Sequence, residues 1–231
     1  MDVISFGWSP RHQELGKMIR KKESFADVIQ TILDLHSELH MCTVSGTAEN
    51  TVDSIFQDLR DEEYAVMPSA KDETIAWAVW HIARIEDLTM NILAAGGSQV
   101  FNKEWAGRMQ ADVTDTGNAM TDEEIVQFSR SVCKPELLNY RNAVGAQSRK
   151  LLKQFEFEDM KRKVSPADIS RILEEGGVTR QKDSVWLLDF WGKKDVAGLV
   201  MMPLTRHQTC HLNDCYKWKI SIRTKKKFFM D

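Results

Sequence analysis

Apolar residues recur every three or four positions along most of the chain, and the strict alternation typical of β-strands is scarce. Four long segments carry this helical period, at approximately residues 24–45, 72–95, 121–155 and 195–219. In the first of them the apolar positions cover a wide face, as expected of a helix that packs inside a bundle. The pattern therefore predicts an all-α protein built on a four-helix bundle.

Local signals mark where several of these helices begin and end. The pair Gly96–Gly97 predicts a helix end, because glycine tolerates the left-handed conformation of a C-terminal cap. Thr121 followed by Glu124 has the spacing of a capping box. Ser165–Pro166 predicts the start of a shorter helix, with serine as the cap and proline in the first helical position. Pro135 predicts an interruption in the third segment.

The connections between the four segments are long, at about 46–71, 97–120 and 156–194. Loops of that length without structure are uncommon, so we expect short extra helices in each of them. The aromatic stretch 184–194, with sequence SVWLLDFWGKK, is expected to pack against the bundle. Because there is no repeat and no low-complexity linker, residues 1–231 are interpreted as a single domain.

Composition narrows the classes of function. The chain has 231 residues and a formal net charge of −3, which gives no reason to expect a nucleic-acid partner. No apolar run approaches the roughly 20 residues that span a bilayer, and the N-terminus has no signal-peptide pattern. The four cysteines show no CxxC spacing. We therefore expect a cytoplasmic protein with reduced thiols, no nucleic-acid partner and no membrane partner.

Two of the six histidines lie four residues apart in the fourth segment. Steps of three and four residues place His207 and His211 on one helical stripe with Leu204 and Trp218, and the stripe predicts that both rings face the interior. Arg206, Gln208 and Asn213 lie off this stripe and are expected to face solvent. On the second segment, the same spacing places His81 on a face with Trp77, Ala78, Ile85 and Leu88.

Three inward-pointing imidazoles need partners, because a buried polar nitrogen without a hydrogen bond or a ligand is costly. A divalent cation can bind three neutral rings at about 2.0–2.2 Å, with two ligands from one helix and one from a neighbour. The alternative is that each ring is an ordinary hydrogen-bonded core histidine. The chain has no HExxH sequence, so the spacing does not indicate a zinc protease.

The sequences WAVWHIARIED around His81 and MPLTRHQTCHLND around His207 and His211 resemble the DinB-like (DinB/YfiT) superfamily of bacterial four-helix proteins. The resemblance implies an up-down-down-up bundle, frequent homodimers, and a zinc, nickel or similar divalent ion bound by His81, His207 and His211. It further implies an enzyme with a small-molecule substrate, since characterised relatives include transferases that use the thiols bacillithiol or mycothiol and an isomerase of related fold. The long insert at 156–194 departs from the compact family pattern and leaves the shape of the substrate pocket undefined.

Three histidine ligands leave at least one coordination position vacant, which is typical of catalytic sites. A bound metal can lower the pKa of water towards about 7 or hold a thiolate in the same position. Two enzymatic hypotheses follow, a thiol-dependent transferase and a metal-assisted hydrolase, and the sequence does not separate them. Two further hypotheses remain: a metal-binding or stress-related protein without turnover, and an all-α interaction module with hydrogen-bonded histidines.

The other three histidines are given weaker roles. His36 and His40 form a second HxxxH pair, which can supply a fourth ligand or a pocket residue. We favour the alternative that one of the two packs in the core and the other meets solvent. His12 lies in the polar stretch SPRHQE and is predicted to be an exposed surface residue.

Several carboxylates and thiols lie near the proposed ligands. Asp214, Glu86 and Asp87 can orient the imidazoles, because metal-bound histidines commonly donate their other N–H to a carboxylate. For each we favour an ordinary surface salt bridge. Cys210 and Cys215 flank His211, and Cys215 is expected to face inward as an apolar buried thiol rather than as a nucleophile.

Overall fold

The structure is a computed structural model that describes residues 5–225 and 227–230. Within these ranges every regular element is a helix, and the only β-type contacts are two isolated bridges, Met67 with Met230 and Lys163 with Asp195. The prediction of an all-α chain is confirmed for the described residues. No signal peptide is predicted for the N-terminal segment, and its first four residues lie outside the described ranges.

The α-helices follow one another in chain order. They are α1 (Ser5–Met18), α2 (Phe25–Ser37), α3 (Cys42–Ser45), α4 (Thr51–Phe56), α5 (Ile75–Asp87), α6 (Lys103–Met109), α7 (Asp122–Ser131), α8 (Lys134–Leu152), α9 (Pro166–Glu174), α10 (Lys182–Gly192), α11 (Val196–Leu199) and α12 (His207–Thr224). Short 3-10 turns occupy Lys22–Ser24, Asp61–Ala65 and Phe157–Lys161, and wider π-helical turns occupy Leu88–Ala94 and Val200–Arg206.

Helix α5 and the π-helical turn that continues it form the centre of the molecule. Every residue from Ile75 to Ala94 is buried, and α5 packs against α7, α8 and α12. A helix that is buried all round is expected to be apolar all round. The polar residues on α5 therefore need partners inside the protein, and these partners define the sites described below.

The predicted helix ends are confirmed. Thr121 Oγ1 accepts from the Glu124 N–H at 3.3 Å, and Glu124 Oε2 accepts from the Thr121 N–H at 2.8 Å. Ser165 Oγ accepts from the N–H of Ala167 at the start of α9. Gly96 ends the second segment with φ at 65°, the left-handed conformation that favours glycine. These signals are local in sequence, which is why they can be identified without tertiary information.

Replacement of Thr121 by alanine is expected to lower the free energy of unfolding by about 1 kcal/mol, because one N-terminal N–H of α7 loses its acceptor. Denaturant-induced unfolding measures the change. Gln127→Ala, at an exposed position of the same helix, is the matched control and is expected to change stability by less than about 0.5 kcal/mol. Equal effects of the two substitutions would contradict a role for the cap.

Two of the long segments are divided. The first, predicted at 24–45, ends as a helix at Ser37, and a short helix follows at Cys42–Ser45. The third is interrupted between Ser131 and Lys134, and Pro135 stands in the first turn of α8. Proline is tolerated there because its missing N–H would have no partner within the helix. The prediction of an interruption at Pro135 is confirmed, and so is the prediction of short helices in each long connection.

The N-terminal helix α1 was not among the predicted segments. Its Trp8 and Leu15 are buried, and its His12 is 7% exposed, with Nε2 at 3.0 Å from the Met201 carbonyl oxygen and 3.1 Å from Thr205 Oγ1. The prediction that His12 is an exposed surface residue is therefore wrong. His12 is buried by a tertiary contact, because the polar stretch around it packs beside the π-helical turn that precedes α12.

This π-helical turn, Val200–Arg206, contains Pro203. Proline cannot donate a backbone hydrogen bond, and its ring would clash with a carbonyl in a regular α-helix. In the wider turn, the N–H of His207 bonds to the Met202 carbonyl five residues earlier, and Thr205 Oγ1 donates to the Val200 carbonyl at 2.6 Å. The extra residue changes the direction around the helix axis in which every later side chain points, including the two histidines of α12.

In the described part of the chain, no helix combines the length and the apolar character needed to cross a lipid bilayer.

Candidate functional site

His81 is oriented by a backbone segment that lies along α5. Four successive carbonyl oxygens, from Thr114 to Gly117, accept hydrogen bonds from four side chains of α5. Arg84 Nε donates to Thr114, Trp80 Nε1 to Asp115, His81 Nδ1 to Thr116 and Trp77 Nε1 to Gly117, at 2.8–3.0 Å. Because a carbonyl oxygen only accepts, Nδ1 of His81 carries the proton. In the neutral ring, the lone pair of Nε2 is then free for a ligand.

Gly117 makes this close approach feasible. Its φ is 75°, and a Cβ at this position would lie 2.8 Å from Trp77 Nε1. Both the backbone conformation and the contact therefore require glycine. The carbonyl segment at residues 114–117 was not predicted from the sequence. The run DTGN at residues 115–118, which is typical of a turn, is the signal that marks it.

Three histidine nitrogens converge beside this segment. The ring nitrogens that His81, His207 and His211 offer lie within 4.8 Å of one another, and Nε2 of His81 is 3.1 Å from Nε2 of His207. The ring of Trp77 stacks on that of His81 with centroids 4.5 Å apart and packs edge-on against His211. The Nδ1 atoms of His207 and His211 have no hydrogen-bond partner among the described residues.

All three rings are neutral at pH 7. Burial lowers the pKa of His81 to about 3, with the neighbouring His211 adding to the effect, and burial alone lowers the pKa of His211 to about 4. Burial and the two neighbouring rings hold the pKa of His207 well below its usual value. Neutral imidazole is the form that binds a metal ion, so the charge state, donor type and spacing of this cluster all fit a divalent cation.

A cavity of about 410 Å³ opens beside the three rings. Its lining includes Trp77 and Ile85 from α5, and Met202 and Pro203 from the π-helical turn. The opposite wall is α10, which lies within the predicted aromatic insert and contributes Trp186, Leu187, Phe190 and Trp191. His207 and His211 are partly exposed towards this space. The insert thus packs against the rest of the chain, as predicted, and forms one wall of the cavity beside the histidines.

A second group of potential ligands includes Glu86 of α5. His36, His40 and Glu86 are fully buried, and the two imidazole rings stack with centroids 4.3 Å apart. Nε2 of His36 donates to Glu86 Oε1, and Nε2 of His40 donates to Glu86 Oε2, each at 3.0 Å. The expectation that one of this pair meets solvent is wrong. Gly145 of α8 leaves the room for His40, because a Cβ there would lie 2.5 Å from the ring.

The carboxylate of this second group is already engaged in a hydrogen-bond network, whereas the Nδ1 atoms of His36 and His40 have no hydrogen-bond partner among the described residues. Glu86 Oε2 also accepts from Gln208 Nε2 at 2.6 Å, and Gln208 Oε1 accepts from Arg141 Nη2 at 3.1 Å. Burial lowers the pKa of Arg141 only to about 10, so the guanidinium stays positive at pH 7 and balances the carboxylate. A divalent ion would add uncompensated charge to a fully buried place, which is costly. The three-histidine cluster, which adjoins a cavity, fits a metal better.

The predicted exposure of four further residues is wrong. Glu86 and Asp87 are not surface residues, because α5 is buried on all sides. Gln208 and Asn213 are buried rather than exposed, whereas Arg206 is exposed as predicted.

The ion pair of Asp214 and the burial of Cys215, two residues that follow His211 on α12, are as predicted from the sequence. Asp214 forms a partly exposed ion pair with Lys217, as the favoured interpretation held. Cys215 is buried, as expected, and Cys210 is exposed. Burial raises the pKa of the Cys215 thiol, which makes it a poor nucleophile.

Comparison with known protein families gives one match. Residues 46–180, more than half of the chain, match the family model described as the DinB superfamily. The matched region contains His81 and the carbonyl segment that orients it, and it ends before His207 and His211. No curated protein matches the chain.

Proposed function

Because the chain belongs to the DinB superfamily, we propose that His81, His207 and His211 bind one divalent metal ion, zinc or nickel, and that the protein is a metal-dependent enzyme. We further propose that the four long helical segments form the up-down-down-up bundle of this superfamily. The reaction that the site supports best is the transfer of a low-molecular-weight thiol to a small electrophilic molecule.

One observation carries this proposal. Three neutral imidazoles converge, and the cluster adjoins a cavity of about 410 Å³. Three protein ligands and a vacant position are the arrangement of catalytic metal sites, whereas structural zinc sites are usually closed by four protein ligands. The hydrogen bond from His81 Nδ1 to the Thr116 carbonyl supports this assignment, because metal-binding histidines commonly donate their second N–H to a fixed acceptor.

The lining of the cavity favours thiol transfer over hydrolysis. When bound, the metal supplies a Lewis acid that lowers the pKa of a coordinated thiol or water. Among the described residues that line the cavity there is no carboxylate and no lysine, so no side chain besides the histidines can take a proton from water. A free thiol has a pKa near 8.5, far below the value of about 15.7 for water, so ionisation of the thiol depends less on such a base. Trp77 holds the His81 ring by stacking, and the aromatic residues of α10 limit the access of water.

The test is a conjugation assay on protein purified without nickel resin and then loaded with zinc. A low-molecular-weight thiol and a small alkyl halide are mixed, and formation of the thioether is followed. We expect zinc-dependent turnover that is lost by at least about 100-fold in His211→Ala, because one of three ligands is removed. Cys210→Ser, at the exposed neighbouring position, is the matched control and is expected to keep its activity.

Other outcomes distinguish the alternatives. Zinc-dependent hydrolysis of an activated ester without thiol conjugation would replace the transferase by a hydrolase. Stoichiometric zinc with neither activity would favour a metal-binding protein without turnover. If no variant of the three histidines changes the metal content, the rings are hydrogen-bonded core residues and the enzymatic proposal fails.

A further inference from the structure

The cavity beside the histidines has an apolar lining, which restricts the chemical class of molecule that it can bind. Apart from the three rings, only Asn118 and the indole N–H of Trp191 offer an unused polar group among the described residues that line it, and none of the lining residues is charged. Oδ1 of Asn118 already accepts from Thr116 Oγ1 at 2.7 Å. The indole N–H groups of Trp77 and Trp186 are used as well, since they donate to the carbonyls of Gly117 and Asp183.

A charged or strongly hydrogen-bonding group would lose its hydration on entering this cavity and find few partners there, which costs several kcal/mol. An apolar group gains by the same transfer, because it leaves water for a dry aromatic surface. The lining therefore selects against ionic groups at every point except the histidine end.

Helix α10 determines the shape of the apolar wall. Trp191 is 1% exposed and fixes the helix to the core, whereas Trp186 is 48% exposed and packs edge-on against Phe190 with ring centroids 5.9 Å apart. Its half-exposed indole adds apolar surface to the lining of the cavity. Met202 lines the same cavity and adapts easily to different shapes.

We infer that the electrophile is an uncharged molecule with an aromatic or branched aliphatic body, which lies between α10 and Trp77 with its reactive carbon at the histidine end. This inference rests on the proposed function and adds the class of substrate to it. In the transfer, the thiol sulfur forms a bond to that carbon and the bond from the carbon to the leaving group breaks. The leaving group takes the electron pair, and the thiol proton passes to solvent.

Binding of two isosteric probes tests the inference separately from catalysis. tert-Butylbenzene and phenyltrimethylammonium have the same shape and differ in charge, and calorimetry measures their affinities for the zinc-loaded and the zinc-free protein. We expect the neutral probe to bind at least about tenfold more tightly, because the cavity does not replace the hydration of the ammonium group. Tighter binding of the cation would identify an aromatic cage for ammonium groups and would overturn the inference.

The role of α10 has its own variant. Trp186→Ala is expected to weaken binding of tert-butylbenzene by roughly tenfold, because the exposed indole covers the probe. Phe229→Ala, which removes another half-exposed aromatic ring away from the cavity, is the control and is expected to leave binding unchanged. Unchanged binding in Trp186→Ala would overturn the assignment of α10. If the neutral probe binds as inferred while His211→Ala has a normal metal content, the proposed metal site fails and the apolar site stands.

Discussion

Alanine at His207 or His211 is expected to reduce the metal content of the protein from one ion per chain to nearly zero. The remaining two rings would hold a divalent ion at least about 100-fold more weakly, since even loss of a group that only orients a ligand costs 10–100-fold in affinity. Elemental analysis after purification without nickel resin gives the content, and calorimetric titration with zinc gives the affinity. His81→Ala is expected to behave in the same way, although it also removes the hydrogen bond to Thr116.

Metal-dependent stability provides a second measurement of the same prediction. A ligand that binds only the folded state stabilises it by about 4 kcal/mol at a free concentration 1,000 times its Kd. The wild-type protein should therefore unfold at higher denaturant concentration when zinc is added, and the His207 and His211 variants should not. Cys210→Ser should keep the zinc effect, because this exposed thiol of α12 is not among the converging ligand atoms.

The buried group of His36, His40 and Glu86 supplies a sharper control. His36→Ala removes a fully buried imidazole whose Nε2 donates to the Glu86 carboxylate. It is expected to destabilise the fold and to leave one zinc ion per chain. Two ions in the wild-type protein, with one lost in His36→Ala and the other in His211→Ala, would show that both clusters bind metal and would contradict the assignment of a single site.

Sequence reasoning succeeded where the determining interactions are local. The capping box of Thr121, the serine cap at Ser165 and the glycine stop at Gly96 involve residues within four positions of one another, and all three are found in the structure. The spacing of His207 and His211 belongs to this class as well. Helical period alone places two side chains four residues apart on one face.

Predictions of burial were wrong for residues that are covered by distant parts of the chain. Gln208 lies off the apolar stripe, yet it is buried because it bridges Glu86 and Arg141. The stripe was also counted with a regular α-helical period, whereas the π-helical turn at Pro203 adds a residue and rotates the side chains that follow. His12 is covered by that same turn, 189 residues away along the chain. Neither the covering segment nor the extra residue in the helix leaves a periodic signal in the sequence.

Asp87 shows the largest error of this kind, because a residue interpreted as a surface salt-bridge partner is 0% exposed and accepts five hydrogen bonds. Its Oδ1 accepts from the N–H of Val100 and from the side chain of Asn91. Its Oδ2 accepts from the N–H of Phe101, from Tyr140 Oη and from Arg84 Nη1. One carboxylate thus connects α5 to α8 and to the connection that follows the second helical segment.

Asp87→Ala is expected to lower the free energy of unfolding by about 3–5 kcal/mol, since it leaves the buried guanidinium of Arg84 without its counter-charge and several donors without an acceptor. Arg84→Met should cost less, because Asp87 then keeps four of its five donors. Denaturant unfolding of the metal-free protein separates this effect from metal binding. Glu14→Ala, which removes a carboxylate from the exposed pair with Lys17, is the control and should change stability by less than about 1 kcal/mol.

The order of these three values tests whether Asp87 stabilises the fold through its charge or through its hydrogen bonds. Asp87→Asn keeps the size and one acceptor oxygen but loses the charge and the second acceptor. If it destabilises almost as much as Asp87→Ala, the charge paired with Arg84 and the second oxygen together carry the stabilisation. A small effect would instead assign the stabilisation to the hydrogen bonds that one oxygen keeps, since the N–H groups of Val100 and Phe101 donate to different oxygens. Because Arg84 also donates to the Thr114 carbonyl, a loss of order around Asp87 would reach the segment that orients His81. Zinc affinity should then fall in Asp87→Ala but not in Glu14→Ala.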